Sequence, residues 1–292
     1  MFLQQLKGIF KDISNFLKFN ITSTICDNSD ISLECHKLFV KYLQNNEYNI
    51  IGYISKKEDN IRYLSNIKID ETKPLHILAF SPLDGISNYT TNINCGSIYG
   101  IYTYDNINKK LINIIDSGYC LYSINTLMVY TNNNRVTMDI LNGWNTFIRL
   151  KDINFDNNPE TKTYSINHSG EYDPELRFLI QHYKKENYKL RWVGSLTADI
   201  HRILMTDGIF YYPSSTNHPS GKIHLLYESM PMAYIFKLAG GIGTSLNYKD
   251  ILLNIGGIDM DSIHRKSTVI LASNNEYIKL LNLLESYEAN RY

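Results

Sequence analysis

The chain has 292 residues, of which 43% are hydrophobic, so it can bury a substantial core as one large unit or as two subdomains. It has 29 Lys and Arg and 29 Asp and Glu, so no global charge recruits nucleic acid or an anionic membrane. No apolar run is long enough to span a bilayer. The four cysteines, Cys26, Cys35, Cys95 and Cys120, form no C-x-x-C pair, which favours buried, reduced thiols in an intracellular protein.

The N-terminal segment has the pattern of an amphipathic helix. Apolar residues recur at three- and four-residue steps from Phe2 to Leu17. Lys7, Lys11 and Asp12 lie among them, so the segment lacks the uninterrupted apolar region of a secretory signal. We expect this helix to pack on the domain or on a neighbouring subunit of a cytoplasmic protein, with a mitochondrial or plastid-type compartment as the alternative.

Strand patterns follow in the middle of the chain. Alternating apolar residues at Leu75–Phe80 and Ser97–Tyr102 predict strands on either side of a Pro-Leu-Asp-Gly turn. Farther along, Leu127–Tyr130 and Val136–Ile140 predict a β-hairpin with its turn at Thr131–Arg135. This pattern predicts an antiparallel region in the first half of the chain.

Two longer motifs carry a family resemblance. They are F-S-P-L-D-G-I-S-N at Phe80–Asn88 and R-W-V-G-S-L-T-A-D-I-H-R at Arg191–Arg202. Shorter motifs follow in the same order as in the family, namely Gly221-Lys222, Leu226-Tyr227-Glu228, Ala239-Gly240-Gly241 and Ile263-His264-Arg265. Together they resemble the class I fructose-1,6-bisphosphatase family.

The resemblance implies the fold. That family has an α/β fold, a layered α-β-α-β-α sandwich with two mixed sheets. We expect a single unit of this kind, with an N-terminal subdomain at residues 1–150 that contains the metal-binding turn. The C-terminal subdomain, residues 151–292, would bind the sugar phosphate.

The resemblance also implies acidic side chains that hold Mg²⁺, and this chain lacks several of them. The metal-binding turn of the family is Asp-Pro-(Leu/Ile)-Asp-Gly, in which Ser81 replaces the first Asp and Asp84 retains the second. Lys37 aligns with an Asp of the family, and Lys56 and Lys57 align with two Glu residues. Because Mg²⁺ favours anionic oxygen ligands, neither a hydroxyl nor an ammonium group replaces these acids as ligands.

Only two acidic ligand positions, Asp84 and Glu228, match without ambiguity. A shift of one residue in the alignment would add Glu58. We expect the three lysines to converge on one pocket, where their charge would replace the metal electrostatically but not chemically. No cofactor is then expected, whereas Mg²⁺ would be the cofactor of an active site.

The sugar-phosphate end matches the family better. The residues that align with its 6-phosphate site are Asn167, Tyr172, Tyr212, Lys222 and Arg191, the last reaching in from a neighbouring subunit. The backbone of Gly85, Ile86 and Ser87 aligns with the phosphate-binding turn. A loop that clamps the site in the family is expected to be short here, from Asn20 to Asp30.

Two functions stay open at this point. A retained core with lost acids predicts a catalytically inactive homologue that binds fructose phosphates or a similar sugar phosphate. It would act as a binding, regulatory or assembly subunit, in a homo-oligomer or in a larger complex. The alternative is an active, divergent Mg²⁺-dependent fructose-1,6-bisphosphatase of carbohydrate metabolism with a rebuilt metal site.

Overall fold

The computed structural model describes most of the chain. The described residues are 2–27, 30–44, 48–65, 67–157, 161–167, 172–255 and 262–289. None of the helices in these ranges combines the length and the apolar character needed to cross a bilayer.

The first half of the chain forms a mixed sheet of eight strands. In chain order the strands are β1 (Ile50–Ser55), β2 (Arg62–Tyr63), β3 (Leu75–Asp84), β4 (Cys95–Asp105), β5 (Lys110–Tyr122), β6 (Thr126–Asn132), β7 (Arg135–Leu141) and β8 (Phe147–Ile153). Their order in the sheet is β2-β1-β3-β4-β5-β6-β7-β8. Within this sheet, only the β1–β3 pair is parallel. The two strands run in the same direction, and Ser55 at the end of β1 lies opposite Phe80 of β3.

A second mixed sheet comes from the other half. Its strands are β9 (Thr163–Ile166), β10 (Lys189–Leu190), β11 (Ile209–Tyr212), β13 (Gly241–Thr244) and β15 (Val269–Ser273), in the order β10-β9-β11-β15-β13. A two-stranded ribbon joins β12 (Ile223–His224) to β14 (Lys266–Ser267). The predicted subdomain boundary at residue 150 stays a prediction.

The helices are α1 (Phe2–Asp27), α2 (Ile31–Leu43), α3 (Ile86–Thr90), α4 (Pro174–Lys185), α5 (Leu196–Thr206), α6 (Met230–Leu238) and α7 (Asn274–Ala289). Short 3₁₀ turns occur at Phe155–Asn157 and Ile251–Ile255, and a π-helical turn at Leu225–Ser229 leads into α6.

Three apolar clusters separate the layers. One joins α1 and α2 to the large sheet, one fills the space between the two sheets around α5 and α6, and one joins the small sheet to α4 and α7. Each sheet therefore buries both faces, as a sandwich of alternating helical and sheet layers requires. The predicted α-β-α-β-α architecture with mixed sheets is confirmed.

The predicted N-terminal amphipathic helix is confirmed, but the predicted loop after it is wrong. The apolar face of α1 is buried, including Leu6, Phe10 and Ile13. The helix continues to Asp27, however, so the expected loop from Asn20 to Asp30 is mostly helical. Lys18 and Asn20 are typical of a helix C-terminus, but no proline or glycine interrupts residues 18–27 and the helix continues through them.

The predicted hairpin is also present, with a tighter turn. The strands β6 and β7 are longer than expected and pair from Leu127 opposite Ile140 to Asn132 opposite Arg135. Only Asn133 and Asn134 connect them, with φ angles of 48° and 58°. Two residues of positive φ form the type I′ turn that matches the twist of a hairpin, and Asn tolerates this conformation.

A stack of buried rings fixes α2 against the strand that leads to Asp84. The rings of Phe39 and Phe80 lie 4.2 Å apart at 12°. Neither side chain is exposed to solvent. This contact holds β3, the strand that ends at Asp84, against α2.

Replacing Phe80 by Ala should lower the free energy of unfolding by about 3–5 kcal/mol, because the lost ring leaves a cavity. Urea denaturation followed by circular dichroism measures this loss. Phe19→Ala is the matched control, since Phe19 is 82% exposed on α1. Its effect should be below about 0.5 kcal/mol. Equal losses in the two variants would contradict the packing described.

Candidate functional site

Asp84 ends β3 and points its carboxylate at the start of α5. Its Oδ2 accepts hydrogen bonds from Ser195 Oγ at 2.7 Å, from the Thr197 backbone N–H at 2.9 Å and from Thr197 Oγ at 2.9 Å. Burial raises the pKa of Asp84, the three donors oppose the increase, and the charge of Glu228 adds to it. The hydrogen bonds of Asp84 thus join the end of β3 to the start of α5.

Gly85 follows in a conformation that favours glycine, with a φ of +77°. A Cβ there would lie 2.8 Å from the Cβ of Ser195. The absence of a side chain therefore allows the turn to approach α5 closely.

Glu228 lies in the π-helical turn and is buried, with 3% of the residue exposed. Its Oε2 accepts from the His224 backbone N–H at 2.8 Å and lies 3.1 Å from His224 Nδ1. Its Oε1 accepts from Lys56 Nζ at 3.0 Å and, at a longer 3.4 Å, from Ser81 Oγ. Burial alone would raise the pKa of Glu228, but the His224 hydrogen bond and the Lys56 charge outweigh it and lower the pKa to about 2.

Lys56 extends from the end of β1 toward this carboxylate. Its side chain is 40% exposed, so its ammonium group lies at the boundary between the interior and solvent. Desolvation opposes the charged form, yet the charges of Glu228 and Asp84 raise the pKa of Lys56. The ammonium group is therefore a fixed positive charge beside both retained acids.

The expected convergence of three lysines is wrong. Lys37 Nζ forms an ion pair with Glu34 at 2.6 Å, and the Lys37 side chain is 60% exposed. Lys57 Nζ pairs instead with Asp30 at 2.8 Å. Lys37 is one turn from Glu34 on the exposed face of α2, and Asp30 caps the same helix, so nearby acids neutralise both ammonium groups.

Glu58, the residue that an alternative alignment would make a ligand, has other partners. Its Oε2 accepts from Arg62 Nε at 2.6 Å, and its Oε1 lies 3.3 Å from His36 Nε2. The opposite ring nitrogen of His36 lies 2.9 Å from Ser55 Oγ. Burial lowers the pKa of His36 despite the nearby carboxylate.

These residues do not fit the Mg²⁺ that the family resemblance implies. Of the positions aligned with ligands, only Asp84 and Glu228 offer a carboxylate, and Glu228 already binds an ammonium group. Over the ranges that the structure describes, no cluster of three or more His, Cys, Asp and Glu side chains is arranged to hold a metal ion. A hard divalent cation typically needs more oxygen ligands than this pair supplies.

Tyr212, one of the predicted sugar-phosphate residues, ends β11. Its ring lies beside the Trp192 indole, with the centroids 6.1 Å apart. Burial raises the pKa of Tyr212, and the charges of Glu228 and Asp84 add to the increase.

Of the other predicted phosphate ligands, two contact each other and two are exposed. Tyr172 donates a hydrogen bond to the Asn167 carbonyl at 2.9 Å, which brings these two together. Arg191 is exposed, and its guanidinium donates to the Leu190 carbonyl at 2.9 Å. Lys222 is exposed as well. Their joint role in binding phosphate stays a prediction.

The predicted phosphate turn forms the first residues of α3. The backbone N–H groups of Asn88 and Tyr89 donate to the Gly85 carbonyl. Those of Ile86 and Ser87 precede them in the helix, where backbone N–H groups have no intrahelical acceptor. Both residues are exposed, which is compatible with the predicted role.

Sequence reasoning missed several partners of the acids. Ser195 and Thr197, which hold Asp84, lie in the second long motif, and only the fold brings them to β3. Asp199 accepts from the Val193 and Gly194 N–H groups, and burial with the charge of Asp84 raises its pKa to about 6. A signal existed for His224, which stands where the family has Arg.

Comparisons with known proteins find similar sequences and similar structures. The family described as Fructose-1-6-bisphosphatase, C-terminal domain, matches residues 158–285. Fructose-1,6-bisphosphatase 1 of Bos taurus is 34% identical over 234 residues, which are 75% of this chain and 68% of that protein. The class 1 enzyme of Sulfurihydrogenibium sp. is 34% identical over 221 residues, or 72% of this chain and 66% of its own length. This chain thus spans about two thirds of the curated relatives it matches.

A solved structure supports the fold over a longer range. Leishmania major fructose-1,6-bisphosphatase in the T-state superposes with a TM-score of 0.83 and covers 97% of this chain and 92% of that one, at 24% identity. The holo form of the same protein gives a TM-score of 0.81. The likeness at this identity concerns the architecture.

The depressed pKa of Glu228 predicts a pH-dependent stability. Because its pKa in the folded protein, about 2, lies below its ordinary value of 4.5, the unfolded chain binds more protons between these values. The advantage of the wild type over Glu228→Gln in unfolding free energy should be full above about pH 5 and decline as the pH falls toward about 2. Urea unfolding across this range measures it.

Glu71→Gln is the control, since Glu71 lies exposed in a turn. It should change the stability little at any pH. An advantage of Glu228 that grows on acidification would contradict the charge pairing.

Proposed function

Because this chain belongs to the class 1 fructose-1,6-bisphosphatase family, we propose that it is a catalytically inactive member that binds a sugar phosphate. Its role would be that of a binding, regulatory or assembly subunit. The ion pair between Lys56 and Glu228 carries this proposal.

The ion pair opposes metal binding by charge. At an effective dielectric constant of about 20, a unit positive charge about 4 Å from a divalent cation is repelled by roughly 8 kcal/mol. Lys56 could avoid this repulsion only by moving away from Glu228. The buried carboxylate of Glu228 would then lose its ammonium partner, which is costly. The second oxygen of Glu228 would still be engaged by His224.

The ion pair also does not supply the chemistry of a metal. Metal ions in phosphatases lower the pKa of the attacking water and polarise the phosphoryl group. An ammonium group attracts a phosphate but does not generate a hydroxide nucleophile. Lys56, with Asp84 and Glu228 at the positions of metal ligands, therefore supports anion binding without hydrolysis.

The sugar phosphate would bind beside Tyr212. Lys222 and Arg191 provide charged donors, and Tyr172, Tyr212 and Asn167 provide neutral ones. Arg191 is exposed and would act across an interface between two copies of the chain, as the resemblance implies. The second phosphate of a bisphosphate would lie toward Lys56, which reaches Glu228 and stays 40% exposed, whereas Lys37 and Lys57 turn to Glu34 and Asp30.

The compartment is part of the same proposal. Cys35, Cys95 and Cys120 are buried free thiols. Free thiols are typical of reducing, intracellular compartments. We place the protein there.

The test of inactivity is phosphate release from fructose 1,6-bisphosphate with saturating Mg²⁺ or Mn²⁺. We expect none that depends on metal, because the ligand set is incomplete. Turnover of about 1 s⁻¹ or more, abolished by Asp84→Ala, would favour the alternative of an active enzyme with a rebuilt metal site.

Metal binding gives a second measurement of the same point. Titration of the wild type with Mn²⁺ should show no tight site, whereas Lys56→Glu should gain one because it places a third carboxylate beside Asp84 and Glu228. Lys57→Glu is the matched control, since it makes the same charge change at the adjacent residue beside Asp30. A gain in the control as well would contradict the assigned role of Lys56.

Calorimetry tests the sugar-phosphate site. Fructose 6-phosphate should bind with EDTA present, and Lys222→Gln should weaken binding by about 1.5–3 kcal/mol, the usual contribution of a charged hydrogen bond. Tyr212→Phe should have a smaller effect. Lys56→Gln should remove any preference for the bisphosphate and leave fructose 6-phosphate binding unchanged.

Lys110→Gln, a change at an exposed lysine of the large sheet, is the control and should have no effect. Absence of binding of both sugars at millimolar concentration would reject the sugar-phosphate site and leave a structural role.

A further inference from the structure

A further polar cavity borders the β12–β14 ribbon and the turn that carries Glu228, and neither acid of the pair lines it. Its volume is about 470 Å³, which is within the range of about 300–1,000 Å³ typical of small-molecule sites. Three of its lining residues are cationic, Lys249, Arg265 and Lys266, and five carry hydroxyl groups. Its described lining residues include no Asp or Glu and no residue of the proposed sugar-phosphate site.

The walls of this cavity are held by hydrogen bonds. The β12–β14 ribbon forms one side, where the Leu225 N–H donates to the Arg265 carbonyl at 2.7 Å. Ser267 Oγ lies 3.0 Å from Ser229 Oγ, and the Leu246 N–H donates to Thr268 Oγ at 3.0 Å. The cavity is therefore shaped before any ligand binds.

Among the described residues, no acid forms an ion pair with any of the three cations, Lys249, Arg265 and Lys266. Lys37, by contrast, pairs with an adjacent acid. Like charges around one concave surface repel each other, and an anion between them relieves the repulsion.

We propose that this cavity is a second anion site and that its ligand is a small organic phosphate. Arg and Lys donate charge-assisted hydrogen bonds to phosphate oxygens, and the hydroxyl groups complete the coordination. Pro219 and Leu246 add apolar surface that would contact the organic part of an ester. The concave shape and the zero net charge of the chain favour a small molecule over a nucleic acid.

Binding of phenyl phosphate and of inorganic phosphate, measured by calorimetry, tests the proposal. The parent protein for the test carries Tyr212→Phe and Lys222→Gln, so that the proposed sugar-phosphate site contributes little. Phenyl phosphate should bind this parent, and more tightly than inorganic phosphate does. Adding Lys249→Gln and Arg265→Gln should weaken its binding at least tenfold.

Two further variants make the result specific. Lys266→Glu, a single change at an exposed residue, should also weaken the binding of phenyl phosphate. It replaces the combined variant in the test if that variant does not fold. Lys110→Gln removes one exposed lysine elsewhere and should leave binding unchanged.

Unchanged binding after Lys249→Gln with Arg265→Gln, or after Lys266→Glu, would overturn the site. Loss of all binding in the parent would overturn it too, because a single shared site would then explain both ligands. Equal affinity for the ester and for inorganic phosphate would overturn the assignment to an organic phosphate. Failure of fructose 6-phosphate to bind the wild type, with phenyl phosphate binding intact, would reject only the sugar-phosphate proposal.

Discussion

Two carboxylates, Glu228 buried and Asp84 half-buried, constrain the centre of this molecule. An ionised side chain in the interior is costly unless charges or hydrogen bonds compensate it. Asp84 is compensated by Ser195 and Thr197 at the start of α5, and Glu228 by Lys56 and His224. These contacts join the end of β1, the end of β3, the start of α5 and the π-helical turn, so the layers meet where the two acids are satisfied.

The two acids are satisfied differently, and the difference bears on function. Asp84 receives neutral donors, and burial raises its pKa. Glu228 receives a charge, and its pKa falls to about 2. One ammonium group therefore stabilises the charged form of Glu228 while it adds positive potential to the site. Under the proposed function, the same group keeps the fold intact without a metal and retains attraction for a phosphate.

Much of the architecture could be predicted from sequence. The three- and four-residue spacing of apolar residues predicted α1. Two segments with strand patterns, separated by a short polar turn, predicted the hairpin of β6 and β7. Motif order gave the layered sandwich, since ordered motifs with similar spacing imply similar connections. Element ends were less predictable. The extension of α1 to Asp27 could not be predicted locally, because Lys18 and Asn20 follow the last apolar residue of the face as they would at a helix C-terminus.

For the candidate site as well, some features could be predicted from the sequence and others depended on the tertiary structure. The sequence by itself determined that Lys37, Lys56, Lys57 and Ser81 stand at positions that the resemblance aligns with acids, because residue identity needs no coordinates. Only the tertiary structure decided that Lys56 alone reaches Glu228 while Lys37 and Lys57 turn to Glu34 and Asp30. A long ammonium side chain pairs with whichever carboxylate the fold brings within reach, and that distance depends on packing between segments far apart in the chain.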